Sequence, residues 1–179
     1  DNEYYVNDAG RQMDILTVSI FLRYLSLCGE QIRFPDNGYQ GQYINDIADS
    51  IVVESGESFK QSADIVFENI CKDGNEGGDK ESHIDELIAR AKDLLGDNFQ
   101  TIFQVGIESI LGGIKDDLAD FGVRFEKWFS EQSLIDSGLS ESCITRLKDS
   151  GHIYKKVEID ETFPEYIREN KKIFIEFIL

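Results

Sequence analysis

Asn7, Asp8, Gly10 and Gln12 crowd together directly after the extended run Tyr4-Tyr5-Val6. Amide and carboxylate side chains placed there can hold the polar groups of a ligand, because in α/β folds ligands bind beyond the carboxyl ends of the strands. The same residues also have a plainer use. Asn7 and Asp8 suit the cap of a following helix, and Gly10 suits a turn or the close approach of another backbone. Tyr39 and Gly41, in a loop punctuated by Pro35, Asn37 and Gly38, divide in the same way between a phenol at the rim of a site and turn chemistry. Cys143 and His152 could pair as nucleophile and base, but no supporting spacing surrounds them and Cys143 falls on the apolar side of a short helix.

Metal chemistry finds less support. Asp73, Asn75 and Gly78 occupy the first, third and sixth positions of a calcium-loop pattern, but the fifth position is Gly77 and the twelfth is Ile84. Two ligands are therefore missing, including the bidentate glutamate that completes such a cage, so a hydrated acidic loop is expected and no metal site is assigned. Cys28, Cys71 and Cys143 are odd in number and lack Cys-x-x-Cys spacing, which favours reduced small hydrophobes over disulfides or zinc. His83 is expected to be exposed in the first turn of a helix.

The elements that would position these residues follow from apolar periodicity. Met13, Leu16, Ile20, Tyr24 and Leu27, broadened by Ile15, Val18, Phe21, Leu22 and Leu25, predict a helix between Gly10 and Gly29 that is buried on several sides. Phe34 to Gln42 reads as a loop and Tyr43 to about Ser55 as a second helix. Ser58 is expected to cap a third helix ending near Cys71. Residues 72–82 have no large apolar side chain and two adjacent glycines, which predicts a solvated loop and the most flexible internal segment. Two helices should follow, from His83 to Leu95 and from Phe99 to Ile114, broken at Gly96-Asp97-Asn98. Val123 to Phe129 alternates as a half-exposed strand, with Trp128 as its packing anchor. A short helix carrying Ile144 and Leu147 stops before Gly151, and Ile153-Tyr154 begins another extended stretch.

With 179 residues and 41% hydrophobic content the chain suits one folded domain. It has no apolar run long enough to span a membrane and no basic-plus-apolar leader, so no membrane partner and a cytoplasmic location are expected. Asp1 in the first position suggests a processed or excised piece. The net charge of −17, from 35 acidic and 18 basic residues, opposes nucleic-acid binding, which depends on cations neutralising phosphates.

Tyr5-Val6-Asn7-Asp8-Ala9-Gly10 with Gln12 is very similar to a segment of bacterial arginyl-tRNA synthetases, which are class I enzymes. Phe34-Pro35-Asp36-Asn37-Gly38-Tyr39-Gln40-Gly41, followed by Tyr43-Ile44 and Asp46-Ile47-Ala48, resembles the family's next signature, Pro-Glu-Asp-Gly-Tyr-His-Gly and a helix. Asn37 and Gln40 depart from it. Asp116 to Val123, leading into Phe125-Glu126-Lys127-Trp128-Phe129-Ser130-Glu131-Gln132-Ser133-Leu134, is similar to a third. The resemblance runs from residue 3 to about residue 156. It implies an α/β but predominantly helical fold, a partial Rossmann-type catalytic domain plus a helical insertion with a few short strands. Residues 3–56 would be the part of the catalytic domain after its first signature. Residues 57–156 would be the mainly helical insertion with a strand near 122–129, and residues 157–179 a tail without family counterpart.

For the intact enzyme the resemblance implies ATP-dependent formation of arginyl-adenylate and transfer to tRNA, with Asn7, Asp8, Gly10, Gln12, Tyr39 and Gly41 on the rim of the substrate site. The His-x-Gly-His and Lys-Met-Ser-Lys-Ser signatures, whose imidazoles and ammoniums stabilise the transferring phosphates, are absent from this sequence. The histidines are His83 and His152, and the sole methionine is Met13. No catalytic residue, metal or cofactor is therefore expected in this chain, which should be inactive alone. ATP with magnesium, arginine and tRNA are expected only with the intact enzyme, and the remainder of the synthetase is the expected partner. The alternative is a truncated, non-catalytic acidic helical module for protein–protein contact, which the tail from Val157 favours. Excision would also leave Tyr4-Tyr5-Val6 and Ile173 to Leu179 as exposed strands, open to self-association.

Overall fold

Helix α1 (Arg11–Leu27) is apolar on nearly every side, and a helix of that kind is stable only when surrounded. Ile15, Leu16, Val18, Ile20, Phe21, Leu22, Tyr24 and Leu25 are all buried. Thr17 and Ser19 are buried with them, and their hydroxyls donate to the carbonyls of Met13 and Ile15 one turn back, at 2.8 and 2.7 Å. Three helices pack around α1. They are α2 (Gln42–Ser55) through Ile44, Ile47, Ala48 and Ile51, a helix at Lys80–Leu95 through Ile84, Leu87, Ile88 and Ala91, and one at Asn98–Asp120 through Phe99 and Ile102. The computed structural model describes residues 2–150, which divide into two compact units. Among the described residues, the larger holds 2–4 and 8–128, and the smaller holds Tyr5–Asn7 and residues 129–150.

Between α2 and residue 80 the chain departs from its expected course. Ser58 caps no helix, since its Oγ donates to the Ser55 carbonyl at 2.6 Å, and α3 is confined to Ala63–Val66. A tertiary contact takes the place of the helix. The buried Tyr24 hydroxyl donates to the Gly56 carbonyl at 2.7 Å and accepts from the Phe59 N–H at 3.1 Å, holding residues 56–59 in turns, while the Ala63 N–H donates to Glu30 Oε2 at 2.9 Å.

Of the loop predicted over residues 72–82, residues 80–82 belong to the next helix, and residues 72–79 are mostly exposed, as composition predicts, but tied down. Asp73 is only 3% exposed and accepts from the Gly74 N–H (2.6 Å) and the Asp36 N–H (2.8 Å), while Asp36 accepts from both the backbone and side-chain amides of Asn75 at 2.9 Å. Asp73 and Glu76 also form a capping box around a 3₁₀ turn at Gly74–Glu76. A Cβ at Gly78 would collide with the Lys72 carbonyl, so only glycine lets these two backbones meet.

The next helix, α4 (Lys80–Leu95), starts earlier than expected because Asp79 caps it, accepting from the N–H groups of Glu81 and Ser82 at 2.8 and 3.0 Å. Those two bonds hold the Asp79 carboxyl below its ordinary range. His83 is consequently a full turn from the cap of α4 and buried rather than exposed, its Nδ1 2.6 Å from the Cys71 carbonyl and its ring stacked on Phe67.

Helix α5 (Asn98–Asp120) follows after the expected break and ends in a Schellman turn: the Val123 N–H returns to Leu118 and the Gly122 N–H to Ala119, with Gly122 at φ 76°. That closure shortens the predicted strand, which begins only at Lys127. The strand β1 (Glu3–Val6) is not left unpaired, because it lies beside β2 (Lys127–Ser130) in a two-stranded parallel sheet. In the larger unit Tyr4 stacks on Trp128 with centroids 4.5 Å apart, Phe125 stands edge-on to both, and Lys127 pairs with Glu3 at 2.9 Å. Trp128 is the anchor the pattern suggested. In the smaller unit Tyr5 stacks on Phe129, and two helices pack together, α6 (Glu131–Asp136), which periodicity did not signal, and α7 (Leu139–Asp149). Ser130 caps α6 by accepting from the Ser133 N–H. Among the described residues, no helix is long and apolar enough to cross a membrane. His152, the extended stretch at Ile153-Tyr154 and the tail lie outside the described residues.

Candidate functional site

Gln12, in the first turn of α1, and Tyr39, just before α2, come from separate parts of the sequence and meet: the Tyr39 hydroxyl donates to Gln12 Oε1 at 3.1 Å. Tyr39 is held from below as well, its backbone N–H donating to the buried Ser19 hydroxyl at 2.9 Å. The pair adjoins a cleft of about 480 Å³ between α1, α2 and the second half of α5, lined by Met13, Leu16, Tyr39, Tyr43, Ile47 and Ile110, with Ser109 and Asp117 as its polar groups. That size and lining suit a small ligand with an apolar body. The Gln12 amide N–H₂ and the lone pairs of the Tyr39 oxygen remain as groups that can orient a polar edge.

The other predicted residues take supporting places. Gly10 is the N-cap of α1 at φ 83°, a conformation that favours glycine, while a Cβ there would touch nothing, so close backbone approach is not its reason. No side chain caps α1, which removes the capping role foreseen for Asn7 and Asp8. Asp8 is half-buried, and Asn7 is exposed in the smaller unit. Gly41 begins α2 with the Tyr43 ring lying against its Cα, where any side chain would displace that ring. Tyr43 is still 43% exposed, and partial burial followed by its neighbour Tyr39 pushes its phenol above the ordinary range.

Both site segments are also tied to the start of α4. Arg11 lies between Glu81 and Asp85, with Nη2 2.9 Å from Glu81 Oε2 and Nε 2.6 Å from Asp85 Oδ1. The other Glu81 oxygen accepts from Asn37 Nδ2 at 2.6 Å. Asn37 first and Arg11 second hold the Glu81 carboxyl below its usual range, and the hydrogen bond to Asp85 leads the causes that raise Arg11. Periodicity could not reveal Glu81, because its partners lie 44 and 70 positions away in sequence. Tyr43 could have been found as the aromatic two residues after Gly41.

A second cavity, of about 400 Å³, is lined by Arg33, Phe67, Cys71, Asp73, Glu76 and His83 among others. It brings thiol and imidazole near one another without assembling a nucleophile. Burial and then Glu86 push the Cys71 thiol up, away from the thiolate form, the His83 ring nitrogen is engaged by the Cys71 carbonyl, and Arg33 pairs with Glu76. Among the described residues no group of His, Cys, Asp or Glu side chains gathers to hold a metal ion. Cys143 is exposed, and its suggested partner His152 falls outside the described residues. The arrangement at Gln12 and Tyr39 can bind and orient a ligand, and it contains no adjacent nucleophile and base.

No family model matches the chain. It is 52% identical over 161 residues to the arginine–tRNA ligase of Hydrogenovibrio crunogenus and 56% identical over 155 residues to that of Legionella pneumophila strain Philadelphia 1. Each match takes in 86% of this chain, and 27% and 26% of the relatives respectively. A crystal structure from Campylobacter jejuni assigned to arginyl-tRNA synthetase covers 86% of this chain and 26% of its own, at 25% identity and a TM-score of 0.49. The chain spans about a quarter of the length of the curated relatives it matches. On that extended identity the chain matches a segment of arginine–tRNA ligases.

Proposed function

We propose that this chain is the segment of an arginine–tRNA ligase that follows the first phosphate-activating signature of its Rossmann-type catalytic domain, with Gln12 and Tyr39 on the rim of the substrate site. Residues 3–56 would complete that domain, 57–156 would form its helical insertion, and 157–179 a tail of separate character. The observation that carries this reading is the identity above 50% over most of the chain, within which the two early signatures supply both partners of the Gln12–Tyr39 hydrogen bond. Asn7, Asp8, Gly10 and Gly41 would shape the turns on either side. The intact, cytoplasmic enzyme would activate arginine with ATP and pass it to tRNA. Those substrates would engage chiefly residues outside this chain, because its described side chains offer no cluster for magnesium and its sequence lacks the paired imidazoles and ammoniums that a transferring phosphate needs.

Alone, the chain should show no arginine-dependent exchange of pyrophosphate into ATP, since groups that stabilise a phosphoryl transition state are worth several kcal/mol each. Exchange above a protein-free control would overturn that expectation. In a ligase carrying this segment, Tyr39→Phe should raise the KM for a small substrate about 5- to 10-fold, the worth of one hydrogen bond, with the melting temperature unchanged. The second reading, an acidic module for protein contact, draws on the part of the chain left unmatched. Mapping the reading frame separates the two: an upstream His-x-Gly-His run supports the ligase segment, and a start codon just before Asp1 supports the module.

A further inference from the structure

Arg11 and Asn37 flank the two residues that meet at the candidate site, Arg11 preceding Gln12 and Asn37 lying two before Tyr39, and both end on one carboxylate. Glu81 uses a separate oxygen for each, Oε2 for Arg11 and Oε1 for Asn37, and Asp85, one helical turn on, takes the remaining edge of the guanidinium. The backbone around Glu81 is itself fixed, because its N–H is held by the Asp79 cap of α4. We infer that Glu81 is a positioning residue for substrate binding: by holding Arg11 and Asn37 on one rigid helix turn, it sets the distance between the first-turn residue Gln12 and the loop residue Tyr39, and thereby the Gln12–Tyr39 hydrogen bond. This deepens the ligase reading and rests on it for the assignment of Gln12 and Tyr39 to a substrate site.

The magnitudes separate positioning from stability. The Glu81 side chain is 53% exposed and that of Arg11 is 40% exposed, and ion pairs so open to water add little to folding stability. What the pair can do is select one geometry among several of similar energy. Tyr39 packs against the core and its backbone N–H is held by Ser19, while the lateral setting of its loop draws on contacts such as Asn37–Glu81 and Asp36–Asp73.

The test is a reciprocal exchange in this chain, read by amide exchange at Gly38 and Tyr39 and by the resonances of the Gln12 side-chain amide. Asn37→Asp sets a carboxylate against Glu81 and should accelerate exchange about 10-fold and shift the Gln12 amide, with the melting temperature within a few degrees of the parent. Adding Glu81→Gln restores a donor–acceptor pair, the amide at position 81 donating to the carboxylate at position 37 while its oxygen keeps Arg11, and should return both signals close to their original values. Glu81→Gln alone should leave them nearly unchanged, because the Asn37 amide can turn to accept. An unaltered Tyr39 environment in Asn37→Asp, or a double variant no better than the single, overturns the positioning role.

In a ligase carrying the segment, the same series should raise and then restore the substrate KM with kcat little changed. A KM that stays flat while the Gln12 and Tyr39 signals move and recover would remove the pair from the substrate site and leave the structural coupling intact.

Discussion

Tyr24 shows how one side chain can replace an element. Its ring lies in the core, as its place in the apolar stripe of α1 requires, but its hydroxyl serves both the Gly56 carbonyl and the Phe59 N–H. Tyr24→Phe strands both groups and should lower stability by about 1–3 kcal/mol in urea unfolding, with no change in helix content around α1. Burial also pushes this phenol up to about 12, against 10.0 for an ordinary tyrosine. The folded state thus binds the proton more tightly than the unfolded chain. The resulting stability is complete below about pH 10 and is lost as pH rises towards 12. Melting curves across that window should fall in the parent and stay flatter in the phenylalanine variant. None of this is legible in the sequence, where Tyr24 counts only as an apolar residue at helical spacing. The same blindness applies to His83, whose burial depends on where Asp79 starts α4, and to Gly10, whose need is a φ value rather than room for a neighbour.

The long helices were readable because each carries a stripe that can be buried in only one way. α1 and α2 fall where periodicity put them, α4 begins at Lys80 rather than His83 and α5 runs on to Asp120 rather than Ile114, and the break at Gly96-Asp97-Asn98 is real. The third helix is shorter than its spacing suggests because Phe59 and Phe67 face the core from turns on either side of α3, held there by Tyr24 and Glu30, so helical spacing did not require a longer helix. The glycines of α5 give a test at this scale. At Gly106 a new Cβ would lie 2.5 Å from the Cδ1 of the fully buried Ile20, so Gly106→Ala sets an overpacking cost of about 1–3 kcal/mol against a gain in helix propensity of about 1 kcal/mol. It should destabilise on balance. At Gly112 nothing lies within 4 Å, so Gly112→Ala should stabilise by about 0.5–1 kcal/mol. Melting temperatures moving in opposite directions for these two variants would confirm that α5 meets α1 at Gly106.

Across the whole molecule the dominant quantity is charge. A chain with a net charge of −17 should bind tRNA more weakly than the roughly 10⁻⁴–10⁻⁶ M of ordinary non-specific binders at physiological salt. An anisotropy titration near 150 mM salt that gave micromolar binding would show a local basic patch overcoming the total. The candidate site was half visible at this scale. The resemblance picked out Gln12 and Tyr39, which the fold brings to one hydrogen bond, but residue types alone could not show that a single glutamate on a third segment would hold their neighbours. Long-range partners of that kind leave no periodic trace.

The hydrogen bonds by which Asp73 holds the Asp36 backbone and Asp36 holds Asn75 bear on how the chain meets proteases. Lys72-Asp73-Gly74-Asn75 has the composition of a loop tip, where nicking and insertion usually concentrate. To enter a protease cleft the bond after Lys72 must leave the buried Asp73 side chain, its bonds to Gly74 and Asp36, and the contact with Gly78. Trypsin should therefore cut slowly after Lys72 in the parent chain and readily in Asp73→Ala, as peptide mapping of early digests would show. The same anchoring makes this glycine-rich run a poor place to graft an insertion or to open the chain by circular permutation, although it reads like a linker.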